Sequence, residues 1–203
     1  MQTRWSFALG MALGVLGTVF AAGYHGGLAI ARQETPSRSD RPDNEELAKL
    51  YAADQGDRKP EDGQPIDAEV IIARDKQREN RIKQLYEASE IRTGQDYYRA
   101  AMILQHARNP EDYLLAHEFC LVALAKGEQN ARWLAAATED RFLMNIGRPQ
   151  RFGTQYHSNN NEPMKLYVVG PGVTDGLRRE LKVPSLAEAK TREAEMGRLF
   201  KVK

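Results

Sequence analysis

The chain contains a single cysteine, Cys120, among its 203 residues. A lone thiol excludes an intramolecular disulfide and any zinc site built from several cysteines. Cys120 falls on an apolar helical face and reads as a small core residue. An excess of either charge is also missing, because 29 Lys+Arg stand against 28 Asp+Glu and no basic run is interleaved with aromatics. Without such a run there is no broad phosphate-contacting face, so nucleic acid is not an expected partner. The sequence has no HExxH spacing, no Gly-rich nucleotide loop and no serine in a nucleophile elbow. A domain of about 150 residues buries enough surface to fold without a disulfide or a metal, and the reading assigns neither a metal nor a cofactor.

Long hydrophobic runs are scarce, with one exception. From Trp5 to Ala31 no residue carries a permanent charge, which is enough chain for a membrane-crossing helix of about 20 residues. Its length favours an uncleaved signal-anchor or transmembrane helix over residues 1–32. Ala29-Ile30-Ala31 has the small-x-small form of a cleavage site, and cleavage after Ala31 would give a secreted protein. No cysteine follows the run, which excludes a lipid-modified cysteine anchor. Gly10 and Gly14 offer a small-residue face through which two such helices could form a homo-oligomer. Arg4 precedes the run, while Arg32, Arg38 and Arg41 follow it. Strict positive-inside counting favours a cytoplasmic domain, whereas the short Arg-bearing leader has the export pattern. The reading takes the second, a domain facing outside the cytoplasmic membrane.

Residues 33–44, QETPSRSDRPDN, are polar and hold Pro36 and Pro42, as a flexible linker does. Asn44 caps a helix over EELAKLYAADQ, and Asp67 caps a second from Ala68 to about Ala88. In that helix Ile71, Ile72, Ile82, Leu85 and Tyr86 form a narrow apolar stripe among dense charges, where Asp75 and Arg78 are spaced to pair on the surface. Three further helices follow. One runs from Gln95 to about Ala107, one from Glu111 or Asp112 to Lys126, and one from about Asn130 to Asn145, with stops at Gly127 and Gly147. The last two form a TPR-like helical hairpin in a single copy. KLYVV is a short extended run, Thr174 caps a helix from Asp175 to Leu181, and Pro184-Ser185 starts a charged final helix. The fold class is therefore mostly α: one helical domain over 45–188, a charged tail over 189–203, and at most a short C-terminal strand.

Polar clusters interrupt the apolar pattern at Gln105-His106, His117-Glu118, Asp140-Arg141 and GRPQRFGTQ from Gly147 to Gln155. Together with Asp54-Gln55 and Arg58, with Gln105-His106-Ala107, and with the run VTDGLRRELKVPSLAE, they resemble a bacterial domain family of unknown function. Its members share an Asp-Gln with a following Arg, a Gln-His-Ala or Gln-His-Gly, an Asp-Arg, and a Gly-x-Pro-Gln-aromatic-Gly-Thr-Gln. The resemblance spans roughly Glu45 to Glu188 and implies a mostly helical domain with no established activity. Phe152 stands where many members have tyrosine.

Gln150, Thr154 and Gln155 neither titrate nor attack, but they donate and accept hydrogen bonds in fixed directions. Such chemistry recognises ligands, and it also satisfies buried helix ends. The leading expectation is a membrane-tethered binding module at the cell envelope that takes a peptide, a glycan or an envelope protein. Its polar pocket gathers Asp54, Gln55, Arg58, Gln105, His106, Asp140, Arg141, Gln150, Thr154 and Gln155. A rival reading is a hydrolase-like enzyme with His106 as general base and Asp140 or Asp54 orienting it. A third is a structural scaffold with no dedicated pocket. His106, His117, Glu118 and Asp140 are metal-ligand residue types, but no spacing among them supports a site.

Overall fold

The computed structural model describes residues 41–59, 67–158 and 162–201. The expected membrane helix, its Gly10/Gly14 face and most of the linker lie outside them. Among the described residues, no helix is long and apolar enough to cross a membrane. The elements run in the order α1 (Glu45–Asp57), α2 (Ala68–Glu87), α3 (Gly94–Leu104), α4 (Pro110–Ala125), α5 (Ala131–Asn145), β1 (Tyr156–His157), β2 (Lys165–Leu166), α6 (Asp175–Glu180) and α7 (Leu186–Lys201). The domain is mostly helical.

Short polar residues set the helix starts. Asn44 accepts from Leu47 N, Asp67 from Glu69 N and Val70 N, and Thr174 from Leu177 N, each satisfying a first-turn donor that has no partner in its own helix. Pro110 opens α4 rather than preceding it, because the first helical position does not need the N–H that proline lacks. At α3 the cap is reciprocal: Thr93 accepts from Asp96 N, and the Asp96 carboxylate accepts from Thr93 N. Asp96 also accepts from Arg92 N and, across the fold, from Asn44 N at 2.8 Å. One fully buried carboxylate thereby fixes the start of α3 to the start of α1.

α3 is the central element and touches α1, α2, α4 and α5. Its Ala100, Ala101, Ile103 and Leu104 join Leu47 of α1, Ile82 and Leu85 of α2, Ala116, Phe119, Cys120 and Ala123 of α4, and Leu134 of α5 in the main core. Phe119 meets the rings of Tyr86 and Tyr97 edge-on, an arrangement aromatic quadrupoles favour. Alanines let α4 and α5 pack closely as a hairpin, which turns at Gly127 with φ +91°. Burial of the Cys120 thiol pushes it up to about 12, so it remains protonated and inert as a core residue should.

Three expectations change. α3 ends at Leu104, and the backbone N–H groups of His106 and Ala107 bond carbonyls three residues back, which places Gln105 and His106 in a tight turn. The polar chain after α5 forms an antiparallel hairpin rather than a loop and a lone strand, with Tyr156 opposite Leu166 and His157 opposite Lys165. A parallel bridge between Gln150 and Val169 extends the pairing. Finally, the inner face of α2 is Arg78, Glu79, Ile82 and Leu85, while Ile72 and Tyr86 are exposed. The expected apolar stripe is half charged because Arg78 packs against the carboxylates of α1 and Glu79 is held by Lys76 and Lys83.

Asp96→Ala should cost ~3 kcal/mol in chemical denaturation, because it strands several backbone donors at once, each worth about 1–3 kcal/mol when buried without a partner. Asp96→Asn retains one acceptor oxygen and should lose less. Equal losses in the two variants would show that the carboxylate does not join α1 to α3 in this way.

Candidate functional site

The polar residues singled out by sequence fall into two adjoining groups. The first is built on Asp140 of α5, which is fully buried. One of its oxygens accepts from Arg151 N at 2.7 Å and Phe152 N at 3.0 Å, the other from Thr154 N at 3.0 Å and Thr154 Oγ1 at 2.8 Å. Gln150, also fully buried, donates through Nε2 to the carbonyls of Gln155 and Tyr167 and accepts from Gln155 N. The Gln155 amide reaches Thr154 Oγ1 and the Ala137 carbonyl. Gly153 turns the loop at φ +81°, a conformation that costs a side-chain-bearing residue strain. Phe152 is buried against Ala136 and Val183 in a second, smaller core.

Sequence reading missed Arg178 in α6, which completes this group. Only 3% exposed, it donates from Nε to Phe152 O at 2.9 Å, from Nη2 to Arg151 O at 3.2 Å and from Nη1 to Val173 O at 2.8 Å. The loop is held between an anion that takes its N–H groups and a cation that takes its C=O groups. Asp140, Gln150, Thr154 and Gln155 thus have their hydrogen bonds occupied within the domain.

The second group lies between α1 and α2, beside the turn after α3. Asp54 is fully buried, with Gln55 Nε2 and Arg58 Nη1 each donating to it at 2.8 Å. Arg58 also bonds Asp75 at 2.7 Å, and Arg78 bonds Asp75 at 3.0 Å and pairs with Asp57, itself paired with Arg74. Arg78 is only 6% exposed, so the expected surface pair of Asp75 and Arg78 is instead part of a buried ionic network. Burial raises the Asp54 carboxyl above its usual range, against the pull of Arg58, Gln55 and Arg78.

His106 faces this network. Its Nε2 is 3.9 Å from the nearer Asp54 oxygen, beyond hydrogen-bond reach. Burial, then the charges of Arg58, Arg141 and Arg78, pull the imidazole down from its ordinary 6.5 to about 3. It is neutral at physiological pH. Arg141 of α5 has its own guanidinium lowered by burial, against the pull of Tyr113 and Asp140. His106 Nε2 and Arg141 Nη1 are the two buried side-chain nitrogens without a hydrogen-bond partner among the described residues.

The other expected members contribute elsewhere. Gln105 is buried with its amide on the Met102 sulfur, and His117 Nδ1 pairs with the Ala135 carbonyl inside the α4–α5 hairpin. Glu118 is exposed. Among the described residues no three His, Cys, Asp or Glu side chains are grouped as metal ligands would be.

Asp140→Ala should destabilise the domain by ~3–5 kcal/mol, since it strands several loop donors at about 1–3 kcal/mol each. Arg178→Met should act in the same direction. Stability within about 0.5 kcal/mol of wild type for both, the range of ordinary surface substitutions, would remove the bracing role.

A folded-state value below the unfolded one means that the unfolded chain binds the His106 proton first as pH falls. The contribution of neutral His106 is therefore whole above 6.5 and declines toward about 3, at about 1.4 kcal/mol per pH unit. The raised Asp54 carboxyl works the other way at the acid end. In urea titrations at about pH 7.5 and about pH 5, His106→Gln should lose less stability on acidification than wild type does. Parallel losses would show that His106 keeps its ordinary value. No family model matches the chain, and no curated protein or solved structure matches it, so the functional reading rests on this residue geometry.

Proposed function

We propose that the domain is a ligand-binding module whose site centres on His106 and Arg141, with Asp54, Gln55 and Arg58 as its wall. One observation carries this reading. Where the other buried side-chain nitrogens and oxygens of the described residues have partners, His106 Nε2 and Arg141 Nη1 do not. A buried donor without a partner costs about 1–3 kcal/mol, and a ligand atom placed between the two would recover that energy. The ionic network on α1 and α2 supports the reading by fixing the wall, since Arg58 is held by both Asp54 and Asp75.

Two features weigh against the hydrolase-like alternative. A general base works best with a pKa near the working pH, whereas the His106 imidazole is pulled down to about 3. The carboxylate expected to orient it stands 3.9 Å away. The uncharged run from Trp5 to Ala31 supports placing the module at the cell envelope on a membrane tether, where peptides, glycans and envelope proteins are the available ligands.

Thermal melting of the full chain against short peptides, muropeptides, nucleotides and divalent metals tests the proposal. A binding probe at a hundredfold its dissociation constant should add ~2.7 kcal/mol, about 5–10 °C in Tm for a domain of this size. The shift should vanish in His106→Gln while that variant stays folded. An equal shift in the variant, or none with any probe, would count against this site, and turnover of a probe seen by chromatography would favour the enzyme.

A further inference from the structure

We infer that the group recognised at this site is a monoanionic carboxylate, held between the Arg141 guanidinium and the His106 ring; the inference rests on the binding reading above. In the neighbouring network Arg58, Arg74 and Arg78 are matched by Asp54, Asp57 and Asp75, each contact a direct ion pair. Arg141 has no such match among the described residues. The neighbouring Asp140 acts on it only through space, because both its oxygens already accept from the 151–154 loop.

Arg141 is therefore a half-buried guanidinium with no ion pair, its Nη1 closed off from water. An isolated buried cation is unfavourable until an anion joins it. A single negative charge gives Arg141 the direct partner it lacks. A dianionic phosphate would overshoot, with Asp54 already 3.9 Å from the His106 ring. Neutral imidazole has one N–H and one bare nitrogen. With the proton on Nε2, His106 donates to one carboxylate oxygen while Arg141 donates to the same group, and the planar guanidinium fork suits a planar carboxylate. A peptide C-terminus and an acidic sugar both present this chemistry.

The test uses the full chain with isotope-labelled histidine, the His106 ring signal being identified by its loss in His106→Gln. Acetate, N-acetylalanine and glucuronate are titrated against inorganic phosphate and acetamide. The expected result is a saturable shift of the His106 ring with the carboxylates, none with acetamide and a weaker response to phosphate. N-acetylalanine outcompeting glucuronate assigns a peptide end, and the reverse assigns a sugar. Arg141→Gln should weaken carboxylate binding about tenfold to a hundredfold, the loss expected of a charge-assisted hydrogen bond, with Arg141→Lys between it and wild type. If phosphate or acetamide binds at least as tightly as the carboxylates, the carboxylate inference falls while the binding site stands. A ring that responds to none of these probes, nor to any ligand that raises Tm, removes both. Should Arg141→Gln fail to fold, the wild-type titrations decide by themselves.

Discussion

The C-terminal part of the domain depends on a short loop suspended between opposite charges, the Asp140 carboxylate on one side and the Arg178 guanidinium on the other. A buried loop is costly because its peptide groups have no ladder to satisfy them. Here the N–H groups of residues 151, 152 and 154 go to Asp140, and the carbonyls of 151 and 152 go to Arg178. The two ions are too well hydrated to be buried alone, and the loop backbone supplies the dipoles that replace water around both. Because Arg178 comes from α6, the arrangement joins that helix to α5. It also positions Phe152 to fill the small core with Ala136 and Val183.

The same device recurs at the other end of the domain. Asp96 gathers the N–H groups of Asn44, Arg92 and Thr93, and Asp54 gathers Gln55 and Arg58. Asp54, Asp96 and Asp140 are all fully buried. Asp96 and Asp140 sit where two segments distant in sequence must hold one register, which apolar packing alone fixes poorly, and Asp54 reaches α2 through Arg58, which also bonds Asp75. A core rich in alanine, such as the one joining α3, α4 and α5, allows close approach but has few interlocking shapes. Directional hydrogen bonds to buried carboxylates supply the missing specificity.

Local features of this architecture were legible in the sequence. Asn44, Asp67, Thr93 and Thr174 announce helix starts because their side chains act on donors two or three residues away, and the apolar spacing of Phe119 and Leu134 marks their inner faces. What could not be read was pairing at a distance. Arg78 resembles any surface arginine in a charged helix, and only the arrival of α1 with Asp54 and Asp57 makes its face the inner one. Arg178, in the same way, lies in a short polar helix whose adjacent Leu177 faces outward, so the apolar pattern does not mark the arginine as the inner residue. The motif from Gly147 to Gln155 correctly signalled polar groups held in fixed directions. Fixed direction is equally the requirement of a brace and of a binding site, and only the partners found for each atom separate the two.

That distinction is sharpest at Asp140 and Arg141, neighbours in sequence that play opposite parts. Asp140 receives four donors from one loop and has little capacity left for a fifth. Arg141 carries up to five donors into a partly dry environment and, among the described residues, meets no carboxylate there. A protein with only stability at stake would do better with an apolar side chain at that position, since replacing buried ionic groups by well-packed apolar ones is often neutral or stabilising by about 1–4 kcal/mol. The arginine stands against that gradient. Burial, helped by the charges of Arg58, Arg141 and Arg78, keeps the His106 ring neutral, so that the ring can donate a hydrogen bond without adding a second charge. A neutral donor and a guanidinium without an ion pair supply the chemistry that the proposed recognition of one negative charge requires.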